Sequence, residues 1–211
     1  MKRFMMAIFL MLVSALGASA QISMEARDWQ IKYSQGTPAH PIDAGDMPGW
    51  YFDIPNDPGY VGYVTIRTRG VKDLSVFTSL IVTMDLETSA FPVYICESAC
   101  SDAAATVYIE HNRWTYLSWY KPYHRWWAWN ARYSLNVGGQ VTLTIPIDPS
   151  QWLSVWGEHG DASPEALAGF WNTMTNVGNV GMTFGGGGNF GHGVGVTDGT
   201  ATFRMLDIYL E

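Results

Sequence analysis

Short β-type runs separated by turn residues recur along almost the whole chain, and this pattern limits what it can fold into. GWYFDI at 49–54 is followed by the turn signal PNDPG, and YVGYVTIRT at 60–68 alternates. FTSLIVTMDLET (77–88), FPVYIC (91–96), ATVYIEH (105–111), RWTYLSWY (113–120), ARYSLNV (131–137) and QVTLTIPI (140–147) come next. NVGMTFG (179–185), HGVGV (192–196) and TATFRMLDIYL (200–210) complete the series. β-Branched and aromatic residues fill these runs, while Gly, Pro, Asn and Asp punctuate them. Gly138-Gly139 in NVGGQ is a hairpin signal. Many short strands with little helix predict an all-β chain, an antiparallel β-sandwich whose best specific form is a jelly roll.

One segment breaks the pattern. SPEALAGFWNTMTNVG opens with Ser163 as an N-cap and Pro164 at the first helical position. Leu167, Phe170, Trp171 and Met174 follow the spacing of one helical face, and Gly178 is a stop signal. DPSQWLSVWG at 148–157 suggests a shorter helical turn. Both helices read as lids on the end of a sandwich.

The first residues have the form of a secretory signal. Lys2 and Arg3 precede an apolar stretch from Phe4 to Leu16, and Ala18-Ser19-Ala20 fits a signal peptidase site. The apolar stretch is short for a membrane span. The expected division is a signal peptide at 1–20, an N-terminal extended segment at 21–48 wrapping the domain, and a β-sandwich domain at 49–211. The expected location is the periplasm or the extracellular space. The chain has 12 basic and 19 acidic residues, and losing Lys2 and Arg3 would leave a net charge of −9. Such acidity disfavours generic nucleic-acid binding, which needs cations to replace phosphate counterions. It equally disfavours docking on anionic lipid, and no second apolar run approaches spanning length.

Cys96 and Cys100, in VYICESACSD, are the two cysteines of the chain. Export makes a disulfide between them the expectation. It would close a small loop and pin a turn rather than the fold.

The stretch NVGMTFGGGGNFGHGVGVTDGTATFRMLDIYL, with RWWAW, TIPIDPSQW and SPEALAGFW upstream, resembles a group of uncharacterised secreted bacterial jelly-roll proteins. The FGGG and FGHGV runs are the most specific part of the likeness. These proteins have a galactose-binding-like shape, shared with carbohydrate-binding modules. The resemblance therefore implies a sandwich fold and, by analogy of fold, sugar or cell-surface binding. It transfers no catalytic residue.

Residues 113 to 133 hold five Trp and four Tyr. Sugar rings have apolar C–H faces that stack on indole and phenol, while their hydroxyls need fixed donors and acceptors. Tyr123, Trp126, Trp127 and Trp129 are the candidate stacking rings, with His124 and Arg125 as polar partners and Arg132 and Asn130 nearby. Residues 121–130 read as a loop between strands. Consecutive Trp126 and Trp127 cannot face the same side of a strand. The competing interpretation is that these rings pack over one end of the sandwich, with Arg125 stacked on one of them.

Other constellations point less far. The glycines from Gly185 to Gly195 lack the Lys and the following helix of a phosphate loop, so they read as tight turns and close strand approaches. His192 reads as a structural imidazole bonded to backbone. Glu158, His159 and Asp161 are metal-type residues without a recognised spacing. No cofactor is indicated, although Asp43, Asp46 and Asp53 offer hard oxygens for structural calcium. Asp85 and Glu87 share one strand face, with Glu110 and Asp207 on other strands, and paired carboxylates are what glycoside hydrolysis needs.

The sequence thus favours a secreted non-enzymatic sandwich that binds a glycan or another cell-surface ligand. A glycan-active hydrolase or lyase and a structural envelope protein with no small ligand are the alternatives.

Overall fold

The computed structural model describes residues 19–68, 71–89, 102–115, 121–186 and 190–211, together with the backbone of 93–96. The expected signal segment up to residue 18, the Cys96–Cys100 disulfide and residues 116–120 of the RWTYLSWY run lie outside the described residues.

In chain order the strands are β1 (Ala20–Gln21), β2 (Trp29–Gln35), β3 (Ile42–Asp43), β4 (Trp50–Asp53), β5 (Tyr60–Arg67), β6 (Ser79–Thr88) and β7 (Val93–Cys96). They continue as β8 (Ala104–His111), β9 (Arg125–Ser134), β10 (Gly139–Pro146), β11 (Trp152–Ser154), β12 (Val177–Gly185), β13 (Val194–Asp198) and β14 (Ala201–Leu210). The helix α1 spans Pro164–Met174. A six-stranded sheet runs β10-β6-β14-β4-β3, with β1 added beside β14. An eight-stranded sheet runs β11-β9-β8-β12-β5-β13-β7, with β2 added beside β5. The named strands pair antiparallel, as expected of this sandwich.

Period-two alternation sends one set of side chains between the sheets. In β6, Leu80, Val82, Met84 and Leu86 point inward, and in β14 Phe203 and Met205 join them. Phe184 of β12 meets Phe52 and Phe203 of the opposite sheet edge-on, with ring centroids 5.8 and 5.2 Å apart. Trp29 and Trp50 are sealed in the same core, 4.8 Å apart. Edge-on pairs of this kind add to the area term because the positive ring edge meets the negative face.

Several local expectations are corrected. Segment 21–48 is not merely a wrap: WQIKYSQ forms β2, with Trp29 and Ile31 buried in the core and Gln30 and Lys32 on the outer side. Its polar outward residues hid the alternation. DPSQWLSVWG forms its expected short helical turn, a 3-10 turn at Pro149–Gln151, but then continues as β11. Gly138 and Gly139 both take positive φ, but β9 and β10 belong to different sheets, so they turn a crossing and not a hairpin. Residues 113–115 are turn and coil, not strand.

Helix α1 forms where expected. Ser163 Oγ accepts from the Ala166 N–H at 3.1 Å, and Pro164 occupies the first turn. Its buried face is Ala166, Phe170, Thr173 and Met174; Leu167 and Trp171 are exposed. The packing partner decides this rotation. Tyr123 lies against Gly169, where any Cβ would collide with its ring. No helix among the described residues is long and apolar enough to cross a membrane.

Candidate functional site

The outward positions of the eight-stranded sheet line up across five strands. Lys32, Tyr63, Thr183, Thr106 and Arg132 form one row. Gln30, Thr65, Gly181, Tyr108 and Trp127 form the next. Arg67, Asn179, Glu110 and Arg125 form a third. An outward face normally carries solvated side chains, yet Tyr63, Ala104, Tyr108, Trp127 and Phe190 make a second apolar cluster here.

Arg125 organises the middle of this face. Its Nε donates to Glu110 Oε1 at 2.8 Å and Nη2 donates to the same oxygen. Nη1 donates to Tyr63 Oη at 2.9 Å, and Asn179 Nδ2 donates to Glu110 Oε2 at 2.8 Å. The guanidinium lies 4.2 Å from the Trp114 ring, 4.8 Å from Tyr63 and 5.8 Å from Tyr108. Burial opposes its charge, but Tyr63, Glu110 and Tyr108 more than offset this and raise its pKa. Burial, and then the Glu110 charge, push the Tyr108 phenol well above its ordinary value. These groups surround a small cavity of about 90 Å³ that Lys32 and Thr115 also line.

An aromatic trough of about 520 Å³ adjoins β9 and β11, lined by Trp127, Trp129, Leu153, Val155, Trp156, Gly157, His159 and Phe190. Trp156 is 62% exposed, and Trp129 is partly exposed with the Arg132 guanidinium 4.5 Å from its ring. The His159 ring donates from Nδ1 to the Ser150 carbonyl at 3.0 Å. Phe190 reaches the trough because the residues just after it, Gly191 and Gly193, are tied back to the end of β12. The Gly191 and Gly193 N–H groups both donate to the Phe184 carbonyl. Gly191 has φ +85° and a Cβ there would strike the Tyr63 hydroxyl, so no other residue fits this approach without displacement.

The six candidate binding residues do not converge. Residues 121–130 are not a loop: Pro122–His124 is a 3-10 turn and Arg125 begins β9. Strand alternation then separates Trp126 from Trp127, as the sequence required. Trp126 is 0% exposed, donates its indole N–H to the Tyr123 carbonyl at 3.0 Å, and meets Phe170 edge-on. It is a core residue and presents no face to a ligand. Tyr123 stacks on Trp126 and donates its hydroxyl to Glu158, which raises its pKa, so its work is to seat α1. His124 stacks on His111 at 4.5 Å. Burial, His111, Lys121 and Arg113 lower its pKa to about 4. Arg125 is locked in the ion pair, which leaves Trp127, 8% exposed, and Trp129 at the trough.

Trp156, Phe190, Tyr63 and Tyr108 lie outside the residues the sequence singles out. Trp156 belongs to the segment expected to form a helical turn. Tyr63 and Tyr108 had a legible signal: both fall on the outward parity of strands whose inward positions are aliphatic.

The other constellations resolve differently. Among the described residues, no group of three or more His, Cys, Asp or Glu side chains could hold a metal ion. Asp43 accepts from the Gly45 N–H and Asp53 from the Thr202 hydroxyl, so the calcium candidates are dispersed. Glu158 accepts from Tyr123 and Ser163 and is part of the α1 seat. His192 is exposed. Asp85, Glu87 and Asp207 lie on the outer face of the six-stranded sheet, on the opposite side of the sandwich from Glu110. No protein-family model and no curated protein matches this chain.

Proposed function

We propose that this chain is an exported, non-enzymatic protein that binds carbohydrate through the trough formed by Trp127, Trp129, Trp156 and Phe190. The observation that carries this reading is Trp156, a large ring 62% exposed at the rim of an aromatic hollow. Exposing an indole costs solvation free energy that burial would recover, so a wet ring beside further rings marks a contact surface. A sugar would lay its C–H face on Trp156 or Trp129, and the Arg132 and His159 side chains would meet its hydroxyls. The likeness to secreted galactose-binding-like proteins supports the same reading, and the signal-like N-terminus supports export.

A glycan-cleaving enzyme has less support. Hydrolysis needs two carboxylates facing each other across the scissile bond. Both oxygens of Glu110 are engaged by Arg125 and Asn179, and Asp85, Glu87 and Asp207 stand on the far face.

Trp156→Ala tests the reading on a glycan array beside a thermal melt. The expected result is about a tenfold loss of affinity for the retained glycan, with an unchanged melting temperature. A wild-type protein that retains no glycan overturns it.

A further inference from the structure

Resting on that reading, we infer that the ligand is an acidic polysaccharide, whose anionic groups are received by a cationic hollow on the same sheet face as the aromatic trough. The hollow has a volume of about 550 Å³ and is lined by Arg27, Lys32 and Arg67 among hydrogen-bonding side chains such as Gln30, Thr65 and Asn179. Asp28 is the one carboxylate in its lining, and it accepts a hydrogen bond from Ser23 Oγ at 2.7 Å. Arg27 is 3.9 Å from Glu25, but no carboxylate among the described residues pairs with Lys32 or Arg67.

The placement of charge over the molecule points the same way. The three outward rows across β2, β5, β12, β8 and β9 carry Lys32, Arg67 and Arg132 beside the paired Arg125 and Glu110, and the exposed Asp198 of β13 lies at the far side of the same sheet. The outward rows of the six-stranded sheet carry Asp53, Asp85, Glu87 and Asp207 against Arg204. A chain with a net charge of −7 has therefore concentrated cations on the face that holds the trough. Such a patch raises the local concentration of an anionic ligand and orients its approach.

Geometry sets the size of the ligand. The Arg125 cavity shares Lys32 and Asn179 with the hollow and lies between it and the trough in sheet order. From β2 to β9 there are four strand steps, about 19 Å at ~4.8 Å each. That span suits an oligomer that stacks one sugar on Trp156 and Trp129 and presents carboxylate or sulfate groups to Lys32 and Arg67.

The test measures binding of the whole protein to polygalacturonate, dextran sulfate, neutral dextran and polyglutamate, at low and high salt. The Lys32→Gln/Arg67→Gln and Trp156→Ala variants are run alongside, with thermal melts. The expected result is tighter binding to at least one acidic glycan than to dextran, falling at least tenfold as salt rises. The double charge variant loses about tenfold for that acidic glycan and nothing for dextran. Preference for polygalacturonate or for dextran sulfate identifies carboxylate or sulfate as the recognised group, and either supports the inference. Equal, salt-insensitive binding to dextran overturns the inference while leaving the carbohydrate reading intact. Equal binding to polyglutamate, untouched by Trp156→Ala, reduces the face to an ion exchanger and overturns both, whereas binding to none of the four overturns the inference and leaves the carbohydrate reading to the glycan array. Should the double variant fail to fold, the salt dependence and ligand preference of the wild type still decide.

Discussion

Arg125 stands where a strand's outward residue would ordinarily be solvated, yet it is buried under Trp114, Tyr63 and Tyr108 and paired with Glu110. Removing one partner of a buried pair leaves the other charge uncompensated, which typically costs about 3–5 kcal/mol, whereas an apolar pair in its place is often close to neutral. Arg125→Met should accordingly shift the urea midpoint strongly downward, and Arg125→Met/Glu110→Leu should recover part of that loss. Equal destabilisation of the two variants would mean that the stacking of the guanidinium, not the ion pair, holds this face together. His124 gives a pH signature. Its folded pKa is lowered to about 4 from an ordinary 6.5, so between these values the unfolded chain takes up a proton that the folded chain refuses. Stability is fully present above pH ~6.5 and is lost as pH falls toward ~4. His111, lowered chiefly by burial, acts in the same direction. Carboxylates titrate in this window too, so the readout is a difference: His124→Phe, which keeps a ring on His111, should show a smaller fall in melting temperature from pH 7 to pH 4 than the wild type.

Elements were more legible than their surroundings. The long strands β5, β6, β12 and β14 could be read because aliphatic and aromatic residues alternate over eight or more positions. β2 escaped because its outer positions are Gln30, Lys32 and Ser34, and only Trp29 and Ile31 report the core. The start of β9 escaped for the opposite reason. RWWAW is apolar on both faces, since its outward rings belong to a second cluster, and periodicity carries no information where both faces are buried. That is also why the candidate site was only half legible. The stretch is conspicuously rich in rings, but a loop would keep all of them together. Once it is a strand, Trp126 goes inward and Trp127 and Trp129 go outward, and the partners they meet, Phe190 and Trp156, come from segments 25 or more residues away. No local spacing encodes that meeting; the pairing of β9 with β11 and the fold-back at Gly191 create it.

At the scale of the whole molecule, the chain crosses repeatedly between two sheets, and its last strand occupies the middle of one of them. β14 pairs with β6 on one side, with β4 and β1 on the other, and sends Ala201, Phe203, Met205, Ile208 and Leu210 into the core. The Gln21 side chain reaches Asp207 across 186 residues of sequence at 2.6 Å. Closing so long a loop costs chain entropy before any contact returns it, so the sheet gains its stability only when the distant strand arrives. A chain ending at Gly199 would leave the core side of β6 and β4 facing water: the five inward side chains of β14 are each worth about 1–3 kcal/mol of burial apart from the smaller Ala201, a sum comparable with the whole stability of a domain. We expect that truncated chain to show no cooperative thermal transition, to lose the near-ultraviolet dichroism of buried Trp29 and Trp50, and to bind a hydrophobic dye. The full chain should instead unfold in one step, with calorimetric and van't Hoff enthalpies equal, because Phe52, Phe203 and Phe184 tie both sheets into one core. A truncated chain that still melts cooperatively would show that the eight-stranded sheet folds without its partner. The binding face would then be a separable unit instead of a surface that exists only when the opposite sheet is complete.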